Sequence, residues 1–579
     1  MSLADEAAAR GVATEYLDWR GEPRRVPEDT VRAVLDAMGP YDDTPPPLKV
    51  VREGSPEAEG KPVGEYERLL VAPRRCPTPP RTWGWMAQLY AARSRASWGI
   101  GDLGDLRSLA AWSASVGAGF VVVSPLGAPN PGPEPEPSPY YPSTRRFGNP
   151  LHLRVEDDPS VADLAAAGRS LNAEPIVDRA RVLRLKVDAL ERAWAAGRWD
   201  RTSFDAWRIE RGDELERWAT FSVLTERHGP GWRSWPEPFR EPASAAVAAI
   251  ARDAGDRIGF HAWMQWCFDL QLEGASEPVR RIADMPVGVD PGGFDAWDWQ
   301  EQLADSATIG APPDRFNRAG QDWGLPPFIP HRLRAAGYRP FIETIRAQLR
   351  HAGGLRIDHV LGLFRLWWVP AGSDPSRGAY VRCPTDELLE IVAIESHRAG
   401  AIVIGEDLGT VPPGVRRELR RRNLLSTRLA LFERLAPERY PRHSFAGVTT
   451  HDLPTVMGAL SGADLDDQAA AGVPPDVAGL ALLRERLVKV AGMSPPGSND
   501  DLVVALHRRL ADGPPMLVAA TLEDALRVET RPNIPGTVAE QRANWSLALP
   551  RPIDELPEDP GVLELVTALR RPPRRAIRA

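Results

Sequence analysis

Cysteine is scarce in this chain. Cys76, Cys267 and Cys383 are spread over 579 residues, an odd number at wide spacing. That excludes a disulfide framework and a cysteine zinc cluster, and it suits a reducing compartment. Long apolar runs are missing as well, since none reaches the ~18 residues of a membrane span. The acidic opening Met1-Ser2-Leu3-Ala4-Asp5-Glu6 has no apolar core of a secretory signal. A soluble, cytoplasmic protein with no membrane partner is expected. Nor does one sign of charge dominate: 71 basic against 79 acidic residues leave a net charge of -8. No nucleic-acid partner is expected from that balance. No calcium-loop spacing and no His/Cys zinc spacing occurs, so neither a metal nor another cofactor is expected. Gly99-Ile-Gly101-Asp-Leu-Gly104 has the spacing of a dinucleotide loop, but no ribose-binding acidic strand end follows it.

What is abundant is tryptophan, 19 residues. Aromatic faces suit sugars, but tryptophan is most often core. Along the chain, residues 1–45 read as a short N-terminal helical segment. In it Val31, Val34, Leu35 and Met38 keep helical spacing, and Gly39-Pro40 ends the helix. Residues 46–80, rich in proline and charge, read as a linker or truncated module. From residue 81 to about 555, strand-like runs recur: Trp83–Tyr90, Gly119–Pro125, Arg281–Val289, Leu355–Asp358, Ala401–Gly405, Arg428–Phe432, Val448–Thr450 and Met516–Thr521. Helical stretches such as Thr385–Ala399 lie between several of them, which predicts parallel βα units. Eight such strands predict an α/β fold, a (β/α)8 TIM barrel, with large, mainly helical insertions accounting for length beyond the ~250 residues usual for that fold. The largest insertion spans about 127–280, and residues 556–579 read as a C-terminal helix or tail.

Three carboxylates fall at the ends of these strands. Asp358 stands in Gly354-Leu-Arg-Ile-Asp-His359, Glu406 in Gly405-Glu-Asp-Leu-Gly409, and Asp452 in Thr450-His-Asp-Leu-Pro-Thr455. The C-terminal face of a barrel is where its active sites lie. Cleaving a glycosidic bond takes two carboxylates, one to attack or activate water and one to protonate the leaving oxygen. Arg356 lies two residues before Asp358 and shares its face on a strand, which predicts that it holds Asp358 ionised. Taken singly, each acid is more often a salt bridge or a loop cap than a catalytic group.

These motifs, in order and over roughly residues 80–550, resemble the 4-α-glucanotransferases, the amylomaltases or disproportionating enzymes of glycoside hydrolase family 77. So do Ser97-Trp-Gly-Ile-Gly-Asp-Leu-Gly-Asp105, Ser138-Pro-Tyr140, Pro312-Pro-Asp314, Gly320-Gln-Asp-Trp-Gly324 and Asn533-Ile-Pro-Gly-Thr537. The resemblance implies a retaining, two-step exchange of α-1,4-glucan segments between malto-oligosaccharides. Asp358 would be the nucleophile, Glu406 the general acid/base, and Asp452 the acid that grips hydroxyls of the distorted sugar. Forming the ester removes the charge of Asp358, which would favour loss of the proton from its neighbour before the acceptor arrives.

The resemblance makes Arg356 and His451 supporting neighbours and Tyr140, Asp314, Gln321 and Trp323 sugar contacts, with Tyr140 stacked beside the reacting sugar. Asp284 reads either as a substrate contact or as a salt bridge at the barrel rim. His359, next to the nucleophile, would point to the opposite face of an ideal strand and support the site from behind. Some relatives carry a β-rich region before the barrel, for which the roughly 40 residues between Pro40 and Pro80 leave no room. An α-amylase-like retaining hydrolase shares the two-carboxylate chemistry, and a silent glucan-binding protein is the reading from another class.

Overall fold

The computed structural model describes residues 2–41, 44–314, 317–493 and 497–571. At its centre is a closed barrel of eight parallel strands in sequential order. They are β1 Thr82–Ala87, β2 Phe120–Val123, β3 Arg280–Met285, β4 Gly354–Ile357, β5 Ile402–Gly405, β6 Leu425–Leu429, β7 Ser444–Gly447 and β8 Leu517–Thr521, with β8 pairing back onto β1. Strands covered on both faces need continuous apolar runs, and Phe120-Val-Val-Val123 and Ile402-Val-Ile404 supply them. Met86, Phe120, Val122, Ile282, Ile404, Leu425, Phe445 and Leu517 fill the interior.

The expected strands hold with two displacements. β6 lies three residues earlier than Arg428–Phe432 suggests, and β7 is Ser444–Gly447 rather than Val448–Thr450. In both cases β-branched or apolar residues just past the strand drew the reading forward. Tertiary packing selects the small Ser-Phe-Ala-Gly run for the sheet and leaves Val448-Thr-Thr450 to the loop. Two strands also stop earlier than expected: β1 at Ala87, before a 3-10 turn at Leu89–Ala91, and β3 at Met285, where Pro286 can donate no ladder hydrogen bond. Gly99 and Gly101 precede the helix Leu103–Ser115 and Gly104 lies in its first turn, where a capping box pairs Asp102 with Asp105.

The insertion after β2 is helical, as expected. Its long helices Arg201–His228 and Gly255–Gly274 pack on each other, and Gln265 bonds both backbone groups of Gly148 at 2.8 and 2.9 Å. Buried Arg146 meets Asp295 at 3.0 Å and Asp298 at 2.8 Å, while Asp295 also accepts Thr144 Oγ1 and the Arg145 N–H. The arm that begins at Tyr140 is therefore anchored at residues 144–148.

A four-stranded antiparallel sheet, which the chain's pattern did not suggest, lies beside the barrel, in the order 321–325, 307–311, 365–370, 379–382. The N-terminal helices Leu3–Ala9 and Glu28–Ala37 cover it, packing Val12, Val31, Val34, Leu35 and Met38 against Trp368, Ala379 and Val381. A short hairpin, Glu15–Leu17 with Pro23–Arg25, separates the two helices. Residues 46–80 hold a three-stranded sheet whose Leu70 and Ala72 join the core around the helix Thr385–Ala399, with Arg52 paired to Glu390. The C-terminal stretch forms the helix Pro560–Leu569, and residues 572–579 of the expected tail lie outside the described residues. Among the described residues no helix is long and apolar enough to cross a membrane. Trp85, Trp98, Trp235, Trp297, Trp367 and Trp368 are core, so the abundance of tryptophan is mostly structural.

Candidate active site

Two carboxylates stand side by side at the ends of neighbouring strands. Ile357 of β4 is in register with Gly405 of β5, so the next residues, Asp358 and Glu406, leave the sheet together. The Glu406 N–H bonds the Ile357 carbonyl at 3.0 Å and the Val360 N–H bonds the Glu406 carbonyl at 3.0 Å. On the other flank Arg356 is in register with Asp284 of β3. Its Nη1 donates to Asp284 Oδ1 at 2.6 Å and to Asp358 Oδ1 at 3.0 Å. Asp284 is thus a buried ion-pair partner that also accepts the Tyr140 hydroxyl at 2.8 Å.

One guanidinium shared by two acids does not bring Asp358 below the usual carboxylate range, as the sequence led one to expect it would. Burial raises the Asp358 carboxyl; Arg356 lowers it, but the charges of Asp284 and Glu406 raise it again, and the outcome is about 7. The strand period correctly put Arg356 and Asp358 together. It could not show that Asp284, distant in sequence, claims the shorter of the two bonds.

His359 departs from the strand rule because β4 has already ended. Its backbone is left-handed, with φ 46°. Its N–H donates to Glu406 Oε2 at 2.9 Å, while the Leu408 N–H donates to Oε1 at 2.6 Å. The imidazole meets the edge of Trp323, with ring centroids 5.3 Å apart. Burial lowers its proton affinity, against the opposing charge of Glu406, so the ring is neutral around pH 7.

Asp452 sits on the loop beyond β7. His451 Nε2 lies 3.3 Å from Asp452 Oδ2, and Asn533 Nδ2 donates to Oδ1 at 2.7 Å. Burial would raise the Asp452 carboxyl, but His451 and Asn533 outweigh it and hold the group below the usual carboxylate range. Tyr140 adjoins the same loop: its hydroxyl is 3.3 Å from His451 Nδ1, and its ring packs on His451 and Trp545 at 4.7 and 5.2 Å. Phenol and imidazole thus link Asp284 to Asp452, a polar bridge that a purely sugar-stacking tyrosine would not need.

The structure brings Asp358, Glu406, Asp452, Arg356, Asp284, His451 and Tyr140 into one cluster, with Trp323 beside it through His359. Gln321 joins through Trp323, whose indole N–H donates to Gln321 Oε1 at 3.2 Å. Asp314 lies in the loop between strands 307–311 and 321–325, where its Oδ1 accepts the Asn317 N–H at 2.6 Å. Sequence reasoning passed over Asn533 and Trp545 as site residues, as well as the backbone of His359 and Leu408. Asn533 opens a motif already noted, but backbone donors carry no signal in residue type. Among the described residues no group of three or more His, Cys, Asp or Glu is arranged to hold a metal ion.

Residues 87–552 match a family model described as 4-alpha-glucanotransferase. The chain is 42% identical over 528 residues to a 4-alpha-glucanotransferase of Mycobacterium tuberculosis, covering 82% of this chain and 72% of that protein. It is 32% identical over 554 residues to a 4-alpha-glucanotransferase of Haemophilus influenzae, covering 84% and 78%. Its structure superposes on the amylomaltase of Corynebacterium glutamicum with a TM-score of 0.85 and 30% identity, covering 98% of this chain and 99% of that one. An amylomaltase of Streptococcus agalactiae, solved in complex with acarbose, shares the fold at a TM-score of 0.71 and 18% identity, covering 84% and 98%.

Proposed function

The chain belongs to the 4-alpha-glucanotransferase family, and from that premise we propose that Asp358, Glu406 and Asp452 carry out a retaining double displacement on malto-oligosaccharides. The observation that carries the reading is the register of Ile357 with Gly405. Neighbouring strands run ~4.8 Å apart, and carboxylates mounted on adjacent strand ends suit the short separation of a retaining pair, about 5–5.5 Å, better than the wider gap an inverting pair needs for water.

In the first step an Asp358 oxygen attacks the anomeric carbon of the donor. Glu406 gives its proton to the departing glycosidic oxygen, and a glucosyl ester forms as the C–O bond breaks. In the second step the 4-hydroxyl of an acceptor glucan gives its proton to Glu406 and attacks the same carbon, returning Asp358 as a carboxylate. Arg356 meets the charge that reappears on Asp358. Asp452, ionised and fixed by His451 and Asn533, accepts hydroxyl hydrogens of the sugar as positive charge builds at its ring. Water is in vast excess over acceptors, so transfer requires that the acceptor hydroxyl be held better than water is. Positioning of this kind is worth several kcal/mol. Tyr140 and Trp323, from two different insertions, supply aromatic walls for it.

Incubation with maltotriose tests the reading. Longer oligomers together with glucose are expected; shorter products alone would mean an α-amylase-like hydrolase, and no products would leave a glucan-binding protein.

A further inference from the structure

His359 contributes its backbone as well as its ring to the site. Consecutive N–H groups close on one residue: His359 N–H reaches Glu406 Oε2 at 2.9 Å and Val360 N–H reaches the Glu406 carbonyl at 3.0 Å. In an extended strand, successive N–H groups point to opposite sides. They converge here because the residue between them is left-handed, with φ 46° at His359. Such a φ is uncommon and costly for a residue that is not glycine. The strain falls at the junction of two groups that must keep a fixed relation: the peptide that donates to Glu406 is the one joining Asp358 to His359. Leu408 secures the other oxygen, Oε1, at 2.6 Å, and Glu406 is only 8% exposed.

We propose that His359 is a positioning residue for proton transfer: its left-handed backbone clamps Glu406 and sets where the acid/base stands relative to the nucleophile. The proposal rests on Glu406 being that acid/base. As the proton leaves for the glycosidic oxygen, negative charge grows on a carboxylate whose two oxygens already face N–H donors, and these strengthen as it grows. The clamp thus orients the group and favours its loss of a proton, without touching substrate. The imidazole is not needed for this, although its contact with Trp323 bears on sugar binding.

The clamp predicts a dependence on leaving group. Maltotriose needs protonation of its leaving oxygen, whereas α-maltosyl fluoride, whose fluoride departs unaided, does not. Single-turnover rates on both would be measured for His359→Gly, His359→Asn, His359→Ala and His359→Val. Glycine and asparagine tolerate the left-handed region; alanine does so less well and valine least. The rate ratio of fluoride to maltotriose should stay within about 3-fold of wild type for Gly and Asn, rise for Ala, and rise ~10²-fold for Val, in keeping with the usual contribution of general acid catalysis. Should the Val variant not fold, the order Gly, Asn, Ala still decides. Equal losses on both substrates across the series, or a rise as large for Gly as for Ala, would overturn the clamp. Wild-type products from maltotriose test the underlying assignment separately.

Discussion

The two halves of the candidate catalytic cluster are mounted differently. Asp358 and Glu406 each follow a strand directly, and ladder hydrogen bonds hold the two strand ends in register. Asp452 stands several residues past β7 on a loop, and side chains from elsewhere hold it: His451 beside it and Asn533 from the segment after β8. Their exposure differs accordingly, with the Asp358 side chain 22% exposed and that of Asp452 45%. The pair that on the proposed mechanism acts at one carbon is fixed by the barrel itself. Asp452, which on the proposed mechanism grips hydroxyls of a sugar changing shape, is held by hydrogen bonds that can adjust. The division also separates charge states: burial pushes Asp358 up to about 7, whereas polar partners keep Asp452 ionised.

The comparison breaks most sharply at Asp358. Asp358→Asn should lower transfer by ~10³-fold or more, because an amide cannot form the ester, and product formation from maltotriose measures it. The same variant should be more stable than wild type. In the unfolded chain this carboxyl ionises near ~3.9 and in the fold at about 7, so its ionisation costs stability increasingly above pH 4 and fully above pH 7. Asp358→Asn should therefore raise the free energy of unfolding at pH 8 by up to about 4 kcal/mol, seen as a higher melting temperature, and leave both nearly unchanged at pH 4. Equal stabilisation at both pH values would contradict the account of this group.

On the loop side, Asn533→Ala should cut kcat by ~10²-fold, at the low end of what losing one preorganised donor costs, while the melting temperature changes little. A large loss of stability instead would mean that Asn533 is mainly a structural tie between the loops after β7 and β8. The third variant sharpens the electrostatic half of the comparison. Asp358 must be ionised to attack, so kcat/KM should fall as pH drops through about 7. Asp284→Asn removes a like charge and leaves Arg356 to Asp358 alone, so this acid limb should move to lower pH by about one unit. An unmoved limb would show that burial alone sets it. The smallest effect concerns the aromatic walls. Tyr140→Ala and Trp323→Ala should raise the ratio of glucose released by hydrolysis to chain-lengthened product several-fold, because acceptor positioning suffers more than cleavage. If both activities fall in proportion, the two rings serve loop packing instead.

Much of this molecule was legible in its order of residues, and the limits have identifiable causes. The barrel could be read because fully covered strands demand apolar runs, and such runs recur with helices between them. Asp358 and Glu406 could be placed at strand ends because apolar runs lead straight into them, whereas Asp452, placed at a strand end on the Val448–Thr450 reading, stands on the loop beyond β7. Val448–Thr450 misled because β-branched residues score as strand wherever they stand, while the sheet takes the run that packs. The sheet beside the barrel was missed because the pairing that joins its two local pairs, 307–311 with 321–325 and 365–370 with 379–382, is the long-range one between 307–311 and 365–370, which local pattern does not show.

The sequence by itself determined the fold class and put Asp358 and Glu406 just past two separate strands, since both follow from local pattern and residue chemistry. Only the tertiary structure decided how their charges balance. Arg356 is divided between Asp284 and Asp358, Tyr140 bridges Asp284 and His451, and a left-handed peptide ties Asp358 to Glu406. Each of these depends on distance and direction between residues far apart in the chain, and electrostatic and hydrogen-bond energies are set by that geometry rather than by which residues are present.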